Sequence, residues 1–193
     1  MKERKVKRLG KIKCKIILSC FLLLWLSSGL VSESIENEYI MKSVFFEGLS
    51  RFVTWSKDSS ITDKSKPFII GVIGKNPFDK IIRNVYVEHK RKIKDKFVEI
   101  RYIPSMRLDE IPGCHILFIS SSCKNILSEI LAVTRNKPIL TIGDTEGYAE
   151  KGVLVNFFIA ERKIRLEIHE SLFHEASLKV DSLLLRSAKI VRK

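Results

Sequence analysis

The first apolar block is dense and short. Ile16–Leu26 (IILSCFLLLWL) is an 11-residue run, too short for a hydrocarbon core that needs about 20 helical residues. It follows a basic stretch from Lys2 to Lys15 and precedes Ser27, Ser28, Gly29 and Ser32, the order of a secretory signal. Beyond it, apolar positions Met41, Val44, Phe45, Leu49, Phe52 and Val53 recur at helical spacing and predict a helix over 36–55. Residues 56–66 carry no pattern and read as a loop. Phe68–Ile73 is a compact apolar run, a buried strand. Asn76 caps a helix expected over 77–85, with Pro77 in its first turn. Strands follow at 97–103, 114–120 and 138–142, with a helix at 124–133. Residues 153–160 and 163–168 flank Glu161-Arg162 as a β-hairpin. The last segment, 171–191, reads as helix with a break at Val180-Asp181 that Asp181 can cap.

That succession, with a strand–helix–strand unit between buried runs, predicts an α/β fold. We expect one mostly parallel sheet with helices on both faces and an antiparallel hairpin at one edge. The boundary falls after residue 34: residues 1–34 are the signal peptide and 35–193 a single domain.

Charge changes meaning once the chain is divided. The formal net charge is +13, of which residues 1–34 hold eight Lys/Arg against two Glu. The remainder is moderately basic, which favours solubility without calling for nucleic acid. The densest mature cluster, Lys90 to Lys96, has no interleaved aromatics to stack on bases and reads as a solvated loop. Cys14 and Cys20 fall in the export segment. Cys114 and Cys123 remain, and an extended 114–120 strand would hold them beyond the ~7 Å limit for bridged Cα atoms.

Chemistry is sparse. No G-x-S-x-G, Walker loop or H-E-x-x-H occurs, and no CxxC or CxxH pair suggests a metal. His115 sits within a buried strand, where a hydrogen-bonded core histidine is expected. No enzyme, metal or cofactor is expected. Open α/β sheets bind ligands at the carboxyl ends of their strands. Those ends carry Lys75, Asn76, Ser121, Ser122 and Asp144, which are the candidate ligand-binding residues. Asn76 and the serines also serve as ordinary caps.

In order and spacing the chain resembles the YfiR family of exported bacterial proteins. The pieces are Glu38-Tyr39 with Lys42, Phe45, Arg51-Phe52-Val53-Thr54-Trp55, Ile70-Gly71-Val72-Ile73-Gly74 and Asn76-Pro77-Phe78. They continue with Cys114–Ser120, Ile139-Leu140-Thr141, Asp144, Gly147, Gly152, Asn156-Phe157, Arg165–Ile168 and Leu183–Ala188. His169 departs from the pattern, where an Asn usually follows the Glu-Ile pair. The resemblance implies a periplasmic, non-catalytic regulator. Such a protein restrains a membrane-bound diguanylate cyclase or sensor kinase, and so cyclic di-GMP output and biofilm formation. Phe46, Arg51 and Trp55 are the expected exposed, partner-binding residues, and a second copy of the chain is a further candidate partner. The alternative is a periplasmic small-ligand binder that uses the strand-end loops.

Overall fold

The computed structural model describes residues 37–55 and 60–192. The expected signal peptide lies outside them. The unit Tyr39–Lys193 opens inside helix α1, which covers 37–52 and runs into strand β1, Val53–Trp55. Strand β2 is Phe68–Ile73. Helix α2, Ile81–Arg83, continues as a π-helical turn over Asn84–Glu88. Strands β3 (Lys92–Ile93), β4 (Lys96–Ile103) and β5 (Ile116–Ile119) follow. A 3-10 segment, Ser121–Ile126, leads into α3, Leu127–Thr134. Then come β6 (Leu140–Gly143), β7 (Val155–Ala160), β8 (Lys163–Ile168) and α4 (Glu170–Glu175). Strand β9 (Leu178–Val180), α5 (Ser182–Arg186) and β10 (Lys189–Ile190) complete the chain.

The main sheet has eight strands in the order β10-β8-β7-β6-β5-β2-β4-β3. Only β7–β8 and β3–β4 pair antiparallel. The expected mostly parallel sheet is therefore present, and its hairpin stands near one end with only β10 beyond it. Side chains alternate across the strands, which divides the core in two. Phe68, Ile70, Val72, Phe118, Ile142 and Phe157 share one face with Phe46 and Leu49 of α1 and with Ile82 and Tyr86. Ile73, Ile103, Leu117 and Ile119 face the other way, onto Cys123, Leu127 and Ile130. Helical segments thus cover both faces.

Several expectations need correction. The first helix stops at Phe52 because Val53-Thr54-Trp55 pairs antiparallel with β9, Val53 opposite Val180 and Trp55 opposite Leu178. β-branched and aromatic residues suit that pairing, and it overrides the helical pattern. The second helix starts at Ile81, not Pro77. Asn76 Oδ1 accepts the Phe78 N–H at 3.0 Å and closes a turn there, and Asp79 stands at φ 45°. The C-terminal helix is divided. Ser177 at φ 55° ends α4, β9 intervenes, and Asp181 caps α5 by accepting the Leu183 N–H at 2.7 Å, the expected cap. Within the basic cluster, Lys94 and Asp95 both adopt positive φ and form the two-residue turn of the β3–β4 hairpin, where a loop was expected.

Candidate functional site

The parallel strands β2, β5 and β6 end side by side, which brings Lys75, Asn76, Ser121, Ser122 and Asp144 to one end of the sheet. Their polar atoms are mostly engaged with the protein itself. Asp144 lies at the mouth of β6, and its Oδ2 accepts from Lys42 Nζ at 2.7 Å and from Tyr39 Oη at 3.0 Å. Lys42 and Asp144 keep only 5% and 8% of their side-chain surface exposed, so α1 plugs the strand ends with a shielded ion pair. Tyr39 and Lys42 are three residues apart, one helical turn, and so reach the same carboxylate.

Ser122 Oγ accepts the Lys75 N–H at 2.8 Å and tethers the β2 loop to the β5 loop. Ser120 Oγ caps the 3-10 segment, accepting the Ser122 N–H at 3.4 Å. Asn76 is spent on its own turn, donating from Nδ2 to the Asp79 carbonyl at 2.9 Å. Ser121 and the Lys75 side chain are exposed. Gly74, at φ 88°, holds the crossing tight, because a Cβ there would lie 2.5 Å from Cys123 Sγ.

A second polar network runs beside the first. Asn156 Oδ1 accepts the Thr145 N–H at 3.2 Å, and its Nδ2 donates to Glu167 Oε2 at 3.2 Å. Lys189 then donates to Glu167 Oε1 at 2.8 Å. The network ties the β6 loop to the β7–β8 hairpin and to β10.

His115 is the core histidine the sequence predicts. It is buried, stacks on Phe68 at 4.6 Å, and accepts the Ile69 N–H at Nδ1 over 2.9 Å. Its Nε2 therefore carries the proton and donates to Ser60 Oγ at 2.9 Å. Burial, helped by the Lys96 charge, lowers its pKa to about 4. Lys96 is buried as well, donating to the carbonyls of Ser60 at 2.9 Å and Asp63 at 2.5 Å. Burial lowers its pKa. The other cations of that cluster are also partly used: Arg91 pairs with Glu47 at 2.6 Å and Lys92 lies 4.7 Å from the centre of the Phe97 ring.

Cys114 and Cys123 are both buried and free, as thiols, and burial pushes the Cys114 thiol up to about 11. Among the described residues no cluster of His, Cys, Asp and Glu could hold a metal ion, and no helix is long and apolar enough to cross a membrane.

The expectation of an exposed aromatic face on α1 is corrected in detail. Phe46 is fully buried, within 6.5 Å of the Phe78, Phe118 and Phe157 ring centres. Trp55 is 5% exposed and packs edge-on against Phe68. Only Arg51 is exposed, leaning on Glu47 at 2.6 Å. The apolar residues that do face outward are Ile40, Met41, Val44 and Phe52. Leu183 extends the row, just past Asp181, whose N–H bonds the Phe52 carbonyl at 2.8 Å. Gly48 lies within this row, with open space where a Cβ would stand. The signal for it was present: α1 carries more apolar positions than one buried face can absorb.

No curated protein matches the chain. Among solved structures the chain is similar to one described as an ABC domain in complex with L-Trp from Streptococcus pneumonia. The identity is 10% and the TM-score 0.49, over 64% of this chain and 55% of that one. The chain therefore spans about half the length of that structure. The YfiR/HmsC-like family model matches residues 39–189, from the tyrosine that closes the strand ends to the lysine that reaches Glu167. By that match, which covers nearly all of the described domain, the chain belongs to the YfiR/HmsC-like family.

Proposed function

We propose that this protein is an exported, non-catalytic regulator that binds a membrane-bound signalling protein, a diguanylate cyclase or sensor kinase, and restrains it. Membership of the YfiR/HmsC-like family supports the general role, a periplasmic regulator of diguanylate cyclase signalling. The outward apolar row of α1, formed by Ile40, Met41, Val44 and Phe52 and continued by Leu183, is the observation that carries the finer reading. A contiguous apolar surface of this kind on a small domain marks a place for a protein partner. Gly48 lets a partner backbone approach closely, and Arg51 supplies a charge at the rim.

The export signal at 1–34 is part of this proposal, and N-terminal sequencing of the protein recovered from the periplasm tests it. The partner reading is tested by capture from solubilised membranes with wild-type protein and with Val44→Arg. The expected result is recovery of a cyclase or sensor kinase by the wild type and its loss with the variant. Recovery of no membrane signalling protein by the wild type across growth conditions overturns the reading.

A further inference from the structure

Among the described residues sulfur occurs at Met41, Met106, Cys114 and Cys123. The thiols and the thioethers stand in opposite surroundings. Cys114 is 3% exposed and Cys123 is fully buried, and burial raises the pKa of both thiols. Oxidants attack the thiolate and need access to it, so neither cysteine is open to them. A thioether has no proton to lose, and its oxidation depends on exposure alone. Met41 is 53% exposed and Met106 85%. The sulfur that an oxidant can reach is therefore methionine sulfur.

Met41 is also placed where its oxidation has a consequence. It is the most exposed of the outward apolar residues of α1, ahead of Ile40, Val44 and Phe52. Gly48, seven residues on and about two turns away, continues the same line, with open space where a Cβ would stand. The helix cannot roll to hide this side. Tyr39 and Lys42, before and after Met41, both bond Asp144 Oδ2, at 3.0 and 2.7 Å. Phe46 is fully buried and stands five residues from Met41, about 140° around the helix. Those contacts fix the side of α1 that meets the sheet and leave Met41 on the far one. Met106 lies outside the row, in the turn that the Arg107 N–H closes on the Pro104 carbonyl at 2.9 Å.

We propose that Met41 is a site of reversible oxidation by hydroperoxides, and that its sulfoxide closes the α1 face to the signalling partner. With hydrogen peroxide, the thioether sulfur attacks one peroxide oxygen with a lone pair. The S–O bond forms as the O–O bond breaks, and sulfur loses two electrons. The proton of the transferred oxygen goes to the departing one, which leaves as water. A dithiol reverses the step through a sulfoxide reductase: it returns two electrons and two protons, releases the oxygen as water and becomes a disulfide. The oxidised side chain is polar and carries an acceptor oxygen where the row had a flexible apolar group. Covering that acceptor is costly unless it finds a donor, and the side chains of Ile40, Val44 and Phe52 have none. The closure rests on the regulator reading given above, whereas the oxidation of Met41 does not.

The test exposes the purified protein to graded hydrogen peroxide and follows each site by peptide mass spectrometry, with titration of the native thiols alongside. Met41 and Met106 are expected to gain one oxygen each while Cys114 and Cys123 remain thiols. Oxidation of either cysteine before Met41 overturns the proposal, as does a Met41 that resists while Met106 reacts. The same samples are then used for capture from solubilised membranes. Oxidised wild type and oxidised Met106→Leu are expected to recover about tenfold less cyclase or sensor kinase than reduced wild type, and reductase with dithiothreitol restores the recovery. Met41→Leu, compared only with itself, is expected to lose nothing on peroxide treatment. Undiminished capture after full conversion of Met41 overturns the closure and leaves the regulator reading standing, and so does a Met41→Leu as sensitive to peroxide as wild type. A reduced wild type that captures no signalling protein overturns the regulator reading and the closure with it, and the peptide masses alone then decide the oxidation.

Discussion

The carboxyl ends of β2, β5 and β6 and the outer edge of β4 invite the same question, and they answer it differently. At the strand ends, chemically attractive residues gather, yet their polar atoms are largely paired within the chain: Asp144 with Lys42 and Tyr39, Ser122 with the Lys75 N–H, Asn76 with its own turn. At the β4 edge the residues look ordinary, yet beyond Phe97 no strand among the described residues pairs with its outer side. A buried polar group is costly unless it is paired, so a folded domain satisfies its interior ends internally. An edge strand bears no such cost while water solvates it. Binding capacity is therefore better sought where pairing is left open than where reactive side chains are concentrated.

The sharpest way to break the comparison is at the strand ends. Asp144→Ala leaves Lys42, nine-tenths buried, without its carboxylate and is expected to lower stability by about 3–5 kcal/mol. Exposed Lys75→Ala is expected to change it by less than about 0.5 kcal/mol. Urea unfolding of the two variants checks both, and equal effects would mean that the strand ends are not braced by the ion pair.

The β4 edge is next. Arg101→Pro removes an inward N–H from the β2 ladder and is expected to cost about 3 kcal/mol or more. Ile100→Pro removes an outward one and costs about 1 kcal/mol. Thermal melts distinguish them, and a reversed order would place the wrong residues on the outside.

Acid probes the support beneath the start of β4. His115 has its pKa depressed to about 4 in the folded protein, against about 6.5 when unfolded. Its neutral form is the one the fold holds, so its contribution is complete above pH 6.5 and is lost as pH falls toward 4. The loss amounts to about 3 kcal/mol. Denaturation at pH 7 and pH 4 is expected to show a fall in stability that is smaller by that amount in His115→Gln.

The amino-acid sequence by itself determined the strands that form the sheet centre. Phe68–Ile73 and Ile116–Ile119 are apolar on both sides, and only a central strand covered on both faces accommodates that. It also determined the β7–β8 hairpin and the Asp181 cap, because those signals are local. The candidate ligand residues were legible as neighbours in space, since parallel strands end together, but not as already paired. That Tyr39 and Lys42 would take Asp144 depends on a contact across 102 or more positions of chain.

Tertiary structure alone decided the rest. Val53-Thr54-Trp55 fits a helical pattern until β9 offers it a ladder, and Phe46 looks like a spare aromatic until Phe78, Phe118 and Phe157 close around it. Strand order decided that β4, with its alternating Glu99 and Arg101, would pair with β3 for two residues and, among the described residues, with no further strand on that side. Periodicity reports how a segment meets its own neighbours, whereas an edge is defined by the strand that is missing, and no local pattern records it.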